Sequence, residues 1–597
     1  MRQSRVLKWA LPALLVAGRL AAAAAPANPV RPAEQPVTYA LVEVPDALRE
    51  ARPPLFLFQG EEETLRELLG RLDRARRDKD VTGLIVEVGD LTAGWAKVQE
   101  LRQALLRWRT DGKPVICVLR GGGNLAYYLA TASQRIVMAP AGSLMLVGLR
   151  AEAVFAKGLL DRIGVKAEFV QAGRYKSAAE TLTREAPSKA FVEMTQELLE
   201  DLHGQLIGGI VQGRALSVSR AAALVRAGPY TAAGAREAGL VDGIAYLDEV
   251  LRDLEQQHGR PVVLARDYGK PRREGLGLAG PAALLSLLMA RGPEGMPRPG
   301  GAAIAVIYAV GPIVEAEAGP WAFGEDFVAA DALVGTIRKA AADDNVKAIV
   351  LRVDSPGGSA EACDAVWHEL RLADARKPVI ASLSDVAASG GYYLAAGART
   401  IYAEPGCLTG SIGVIGGKIS VGGLMEKLGL KVFVMERGGQ TGMDSLLTEL
   451  TARERDKLQE LVDDAYRTFL DRVAQTRPGM DARDVDKVAQ GRVWSAQQAG
   501  ARGLVDKLGG IEDALAAARE AAGIPPGADV AIIELPKPRS LLDAVLFGRR
   551  EDSAGLMDLS LGAAVGLPQW VRPYWAALWS LQEEPAMCLL PAAIRIR

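Results

Sequence analysis

At 597 residues, with 49% hydrophobic and 24% charged side chains, the chain is too long for one ordinary domain and too apolar to be disordered. A formal charge of −1, with acidic and basic residues interspersed, leaves no nucleic-acid footprint. Four scattered cysteines (Cys117, Cys363, Cys407, Cys588) support neither a disulfide framework nor a zinc site, and His203, His258 and His368 lie in no recognisable metal or catalytic motif. No cofactor or metal is expected, and a hydrolase built on this chain needs a base other than histidine.

In chain order, residues 1–28 have the grammar of a signal peptide or N-terminal anchor. Arg2, Arg5 and Lys8 precede an apolar stretch from Trp9 to Gly18, and an alanine run with A-x-A sites follows. That stretch is shorter than the ~20 residues of a spanning helix, and Arg19 interrupts it, so cleavage near Ala25 is the preferred reading. Either reading puts the body outside the cytoplasm, on the periplasmic side in a Gram-negative cell.

Two similar units follow, over 36–265 and 301–535. VTGLIVEVGDLTAG from Val81 returns as VKAIVLRVDSPGGS from Val346, KPVICVLRGGGNLAYYLA from Lys113 as KPVIASLSDVAASGGYYLA from Lys377, and AGLVDG from Ala238 as RGLVDK from Arg502. An offset that stays near about 265 residues marks a tandem duplication. Residues 266–300 hold the apolar segment LAGPAALLSLLMARG, with Pro281, and the joint GPEGMPRPGG; residues 536–597 form an apolar tail with Trp570, Tyr574, Trp575 and Trp579. Neither LLSLLMARG nor its counterpart LLDAVLFGR in the second copy is long enough to span a bilayer. Each reads as a packing helix or oligomer contact, or as a rim dipping into a membrane surface.

The second copy shows the local plan. A helix over Leu333–Ala342 precedes a continuous apolar strand over Val346–Val353, a turn at Asp354-Ser355-Pro356-Gly357-Gly358 and a helix to about Ala375. Strands follow over Pro378–Leu383 and Arg399–Ala403, with Ser389 opening a helix between them. Strands alternating with helices predict an α/β fold with largely parallel, buried sheets. From Thr451 to Arg477, one apolar face gathers Leu458, Leu461, Val462, Ala465, Phe469 and Val473, as a packing helix would.

Each copy keeps a reactive group that the other lacks. Ser389 of the second copy faces Asn124 of the first, and Lys176 of the first faces Thr441 of the second. Serine is a nucleophile only with a base nearby, and a lysine is a base only when uncharged, which burial achieves. Arg174, if turned inward, would push the same way. Backbone N–H groups of Gly357 or Gly358 and of Gly390 could hold the oxyanion of an acyl transfer. Gly417-Lys418 lacks the leading glycine and the following Ser or Thr of a P-loop, and Gly121-Gly122-Gly123 opens no GxGxxG motif.

YKSAAE at Tyr175, DSPGG at Asp354, SDVAASGGYYLA at Ser384 and LTGSIGV at Leu408 resemble the signal peptide peptidase A family, long two-domain type, of peptidase family S49. The resemblance covers most of residues 40–525. It implies a tandem duplication of a ClpP/crotonase-like domain and a serine endopeptidase, with Ser389 as nucleophile, Lys176 as general base and Ser411 helping to hold the lysine. It further implies released signal peptides as substrates, work at the inner-membrane surface, and a homo-oligomeric ring, a tetramer in the family. A crotonase-like acyl-thioester enzyme and a non-catalytic membrane scaffold are the alternatives.

Overall fold

A computed structural model describes residues 35–51, 63–266, 268–270, 301–315, 327–536, 586–589 and 595–596. The N-terminal segment 1–28, the apolar linker segment around Pro281 and the Trp570–Trp579 cluster lie outside the described residues.

Two largely parallel sheets form the core, the second carrying an antiparallel pair, Leu408–Gly410 with Val493–Ser495, at one side. In the first, the strands run in the order Gly243–Ile244, Arg135–Met138, Val115–Leu119, Val81–Val88, Val37–Glu43, Val262–Ala265. The second repeats this order as Lys507–Leu508, Thr400–Ala403, Val379–Ala388, Val346–Ser355, Ala303–Val310, Ala531–Leu535, with every one of these neighbours parallel. The duplication read from sequence is therefore also a duplication of topology. Uninterrupted runs such as AIAVIYAV follow from burial of both sheet faces beneath helices.

Several elements exceed the spans expected from apolar runs. The strand expected over Pro378–Leu383 continues to Ala388, and the one over Val346–Val353 continues to Ser355. Polar Ser384 and Asp385 stay in strand because groups of the first repeat satisfy them. The turn expected after Asp354 contains a short strand, Gly357–Ser359, and Ser359 then caps the next helix by accepting from Ala362 N at 3.1 Å. The amphipathic helix spans Ala452–Ala474 and buries Leu458, Val462, Phe469 and Val473, but Leu461 lies outside the stripe, 47% exposed.

A third sheet crosses the repeats. Its order is Val328–Ala329, Ile313–Val314, Gly357–Ser359, Met587–Leu589, Val414–Ser420, Lys166–Ala172. Only the last strand belongs to the first repeat; it pairs antiparallel with Val414–Ser420, from Ala172 opposite Val414 to Lys166 opposite Ser420. Gly417 and Lys418 lie in that ladder, so no phosphate loop forms there.

Charge fixes the seam between repeats. Arg352, fully buried in a central strand, reaches Glu50 through two hydrogen bonds of 2.7 and 2.9 Å and Glu100 at 2.6 Å, both acids coming from the first repeat. Burial raises the Glu50 carboxyl, but the Arg352 guanidinium outweighs it and holds the group down at about 2. Burial pushes Glu100 up to about 7. Removing the cation alone strands two buried acids, a loss of about 3–5 kcal/mol, whereas replacing the cluster with apolar side chains avoids that penalty. Arg352→Met is expected to lower the urea midpoint sharply, and the triple variant Glu50→Leu, Glu100→Leu, Arg352→Met to recover most of it. Equal midpoints for wild type and Arg352→Met would remove the cluster's structural role.

Candidate active site

Ser389 ends the strand Val379–Ala388 and precedes a short helix, Gly390–Ala395. Its φ of 56° is in the left-handed region, a costly conformation for a non-glycine residue. Two backbone bonds hold it there: Ser389 N donates to Gly410 O at 2.7 Å, and Ser389 O accepts from Tyr393 N at 2.9 Å. Ser411 shares this strain, with φ of 50°, and its N–H donates to Arg492 O at 2.7 Å.

Lys176 comes from the other repeat, just beyond the strand Lys166–Ala172. Its loop presses against Gln490-Gly491: Tyr175 N donates to Gln490 O at 2.7 Å, and a Cβ on Gly491 would lie 2.5 Å from the Lys176 Cβ. Only glycine permits so close an approach. The lysine is wholly buried, and its Nζ lies 2.6 Å from Ser389 Oγ, 2.9 Å from Ser411 O and 3.1 Å from Ser411 Oγ. Three partners suit an uncharged amine, which has two N–H donors for the Ser411 oxygens and one lone pair to accept the Ser389 hydroxyl proton.

Burial pulls the Lys176 amine from its ordinary value down to about 7, and the Cys588 and Cys363 thiols oppose the shift only weakly. Arg174 takes no part. Its guanidinium turns outward to Glu193 at 3.3 Å and over the Tyr175 ring, correcting the expectation of an inward charge. Desolvation therefore supplies the shift.

Of the glycines expected at an oxyanion hole, Gly357 donates its N–H to Ser355 Oγ at 3.1 Å. Gly358 and Gly390 are the other two glycines expected there. They are close to each other, since a Cβ on Gly390 would lie 3.0 Å from Gly358 N. The positions facing the pair in the other copies have closed or opened. The Asn124 amide donates to Gly148 O at 2.8 Å and accepts from the N–H groups of Val147 and Gly148 at 3.2 Å, and Thr441 is exposed in a loop.

Three charged residues beside the site escaped sequence reading. Lys97 of the first repeat bridges Asp354 at 2.7 Å and Asp385 at 3.2 Å. Burial works against its charge, but Asp354, Asp385 and Glu50 outweigh it and raise its pKa. Asp385 also caps the helix Trp95–Thr110 of the first repeat, accepting from Gly94 N and Lys97 N at 3.0 Å each. Asp354 and Asp385 lie three residues before Gly357 and four before Ser389, so one ammonium ties together the approaches to both. The visible signal was an acid at the end of each apolar strand.

Two repeated, parallel-rich α/β sheets with a buried lysine against a strained serine are an arrangement suited to a serine hydrolase. The model of peptidase family S49 matches residues 107–260 and 371–525, and the chain belongs to that family as a serine peptidase. It is 32% identical over 492 residues to the chloroplastic serine protease SPPA of Arabidopsis thaliana, covering 81% of this chain and 70% of the relative. It is also 32% identical over 475 residues to Protease 4 of Salmonella typhi, covering 77% and 72%. A putative signal peptide peptidase SppA of Enterococcus faecium is 33% identical over 227 residues, covering 38% of this chain and 61% of the relative.

The lysine also sets a pH dependence of stability. With a folded value of about 7 against roughly 10.4 unfolded, the unfolded chain binds the extra proton between these limits, so stability rises as pH climbs through this window. The penalty is complete below pH 7, at about 4–5 kcal/mol. The urea midpoint of Lys176→Met should exceed that of wild type near pH 6, and the difference should shrink toward pH 10. A constant difference across that range would contradict a neutral buried lysine.

Proposed function

We propose that the chain is a Ser–Lys endopeptidase cutting extended, apolar peptides, with released signal peptides as its main substrates. The observation carrying this reading is the 2.6 Å approach of an amine with a pKa of about 7 to the hydroxyl of Ser389. Ser389 Oγ attacks the peptide carbonyl while Lys176 Nζ takes its proton. The oxyanion faces the Gly358 and Gly390 N–H groups, each such donor being worth a few kcal/mol in the transition state. Lys176 then passes the proton to the leaving amine and activates water to release the acyl-enzyme. Ser411 orients the amine through its carbonyl and hydroxyl.

The extended form of the substrate is supported by the slot between Gly357–Ser359 and Val414–Ser420, which has the width of one strand and is filled by Met587–Leu589. The signal-peptide assignment is supported by the name of the Enterococcus relative and by the export-like pattern of the N-terminal sequence, which also favours work on the periplasmic side of the inner membrane. Among the described residues no helix is long and apolar enough to cross a membrane.

A fluorophosphonate should label wild type at Ser389. Ser389→Ala and Lys176→Ala should each lower kcat/KM on an apolar peptide by about 10³-fold or more with little change in KM. For wild type, log kcat/KM should climb with pH and level off above about 7, as the amine loses its proton. Hydrolysis by both variants at the wild-type rate would end the proposal.

Self-association belongs to the same proposal. Lys166–Ala172 is paired within the chain, but its counterpart Lys431–Arg437 in the second repeat lies outside any sheet and leaves Phe433 86% and Met435 85% exposed. A second copy of the chain is the natural cover for that run. Light scattering should report a multimer for wild type and a smaller species for the Phe433→Lys, Met435→Lys variant; unchanged mass would exclude this contact.

A further inference from the structure

The segment 490–494 of the second repeat meets the surroundings of the Lys176 amine from two sides. Its first residue takes the lysine's loop: Gln490 O accepts from Tyr175 N at 2.7 Å, and Gln490 Oε1 from Arg174 N at 3.2 Å. The next two residues take the turn at Ser411. Gly491 N donates to Ile412 O and Arg492 O accepts from Ser411 N, both at 2.7 Å. Two of the three partners of Lys176 Nζ are atoms of Ser411, so this turn decides where the amine sits.

From that carbonyl, the Arg492 side chain reaches back to the first repeat. Its guanidinium lies 4.6 Å from the centre of the Tyr175 ring and 4.5 Å from that of Trp494. Nη1 reaches Glu193 Oε1 at 3.2 Å, the oxygen that also accepts from the Tyr175 hydroxyl at 2.8 Å, and Nη2 pairs with Glu197. Glu193 and Glu197 stand one turn apart on the helix Lys189–Arg214 of the first repeat. Arg174 over the Tyr175 ring and Arg502 over the Trp494 ring are the other cations of this cluster. The Arg492 side chain is only 11% exposed, so its contacts with rings and carboxylates are little screened.

The duplication supplies a comparison. The strand pair Leu408–Gly410 with Val493–Ser495 repeats Ser143–Met145 with Tyr230–Thr231, since Thr409 faces Trp494 as Leu144 faces Tyr230. That register sets Arg492 against Gly228 and Ser411 against Leu146. A Cβ on Gly228 would lie 1.9 Å from Leu146 O. At the vacated site around Asn124, the position matching Arg492 therefore has no room for any side chain.

We infer that Arg492 is a positioning residue for the base, holding the Lys176 loop and the Ser411 turn at one separation. This inference rests on the Ser–Lys reading of the site and adds what keeps its amine aimed and dry. Ser389, Ser411, Cys363 and Cys588 are the groups that act on the amine itself, whereas Arg492 acts through Tyr175 and Ser411. Without the guanidinium, loop and turn lose their common tie, water reaches Nζ, and the amine returns toward an ordinary lysine.

The test is the pH profile of hydrolysis of an external apolar peptide by the full chain. Arg492→Met should lower kcat about tenfold or more with little change in KM, and move the rising limb of kcat/KM up by about one pH unit or more. Tyr175→Leu should give the same displacement, and the double variant should be no worse than either single one. The pair Glu193→Gln, Glu197→Gln loosens the guanidinium without removing it, and it should also move the limb up. A direct field effect of the lost acids would move that limb down, so a downward or absent shift there would overturn the inference. It keeps the test decisive even where Arg492→Met fails to fold. An Arg492→Met protein with a lower urea midpoint but wild-type kcat and limb would overturn it too, leaving the Ser–Lys reading standing. Peptide hydrolysis undiminished in Ser389→Ala would instead sink the Ser–Lys reading itself.

Discussion

The site depends on keeping water from one amine. Burial beside Ser389, against the second repeat, pulls the Lys176 amine toward its uncharged form. The strand bringing it there, Lys166–Ala172, pairs along its full length with Val414–Ser420 of the other repeat. Its loop is pressed on Gln490-Gly491, where any side chain on the glycine would push the lysine out. Docking of the repeats and the proton affinity of the base are therefore one event, and separation of the repeats by a few ångströms would restore an ordinary lysine.

That docking is held by charges where an apolar seam would also have packed. Arg352 with Glu50 and Glu100, and Lys97 with Asp354 and Asp385, are all buried or nearly so. Buried ion pairs contribute little net stability compared with apolar side chains of the same volume. What they add is register. An apolar seam tolerates sliding, but Lys97 satisfies its two carboxylates only when the strand ends bearing the glycine turn and Ser389 are at one separation. The helix Trp95–Thr110 carries both Lys97 and Glu100, three residues apart on one face, so a single rigid element sets both clusters. Its exposed N-terminus is completed by Asp385 of the other repeat, which makes even the helix cap a contact between repeats.

The sheets were legible because their strands are buried on both faces and so read as unbroken apolar runs. The meeting of Ser389 and Lys176 was legible because the duplication supplied a comparison inside the chain: each stands opposite a residue of different chemistry. What stayed hidden has physical reasons. Strand ends at Asp354 and Asp385 look like turns until partners from 250 or more residues away satisfy their carboxylates. The positive φ of Ser389 and Ser411 leaves no trace in residue type, since neither is glycine. Exposure of Leu461 within an apolar stripe reflects where neighbours end, which periodicity does not encode. Cys363 and Cys588 look scattered in sequence, yet both lie beside Lys176 because an antiparallel strand near the chain's end enters the middle of a sheet.

Duplication also explains why one site suffices per chain. A repeat bearing both residues would have to bury a lysine in each copy, and each buried amine carries the same loss of stability below neutral pH. At one vacated position the Asn124 amide now bonds Gly148 O and two backbone N–H groups, replacing a reactive serine with a fully satisfied polar side chain. At the other, Thr441 sits in an exposed loop, so the segment before it no longer has to enclose anything. Freed from that task, Lys431–Arg437 keeps its apolar residues but has no partner strand among the described residues. The asymmetry thus removes one penalty and leaves Phe433 and Met435 on an exposed run, where the matching strand of the first repeat forms one wall of the site.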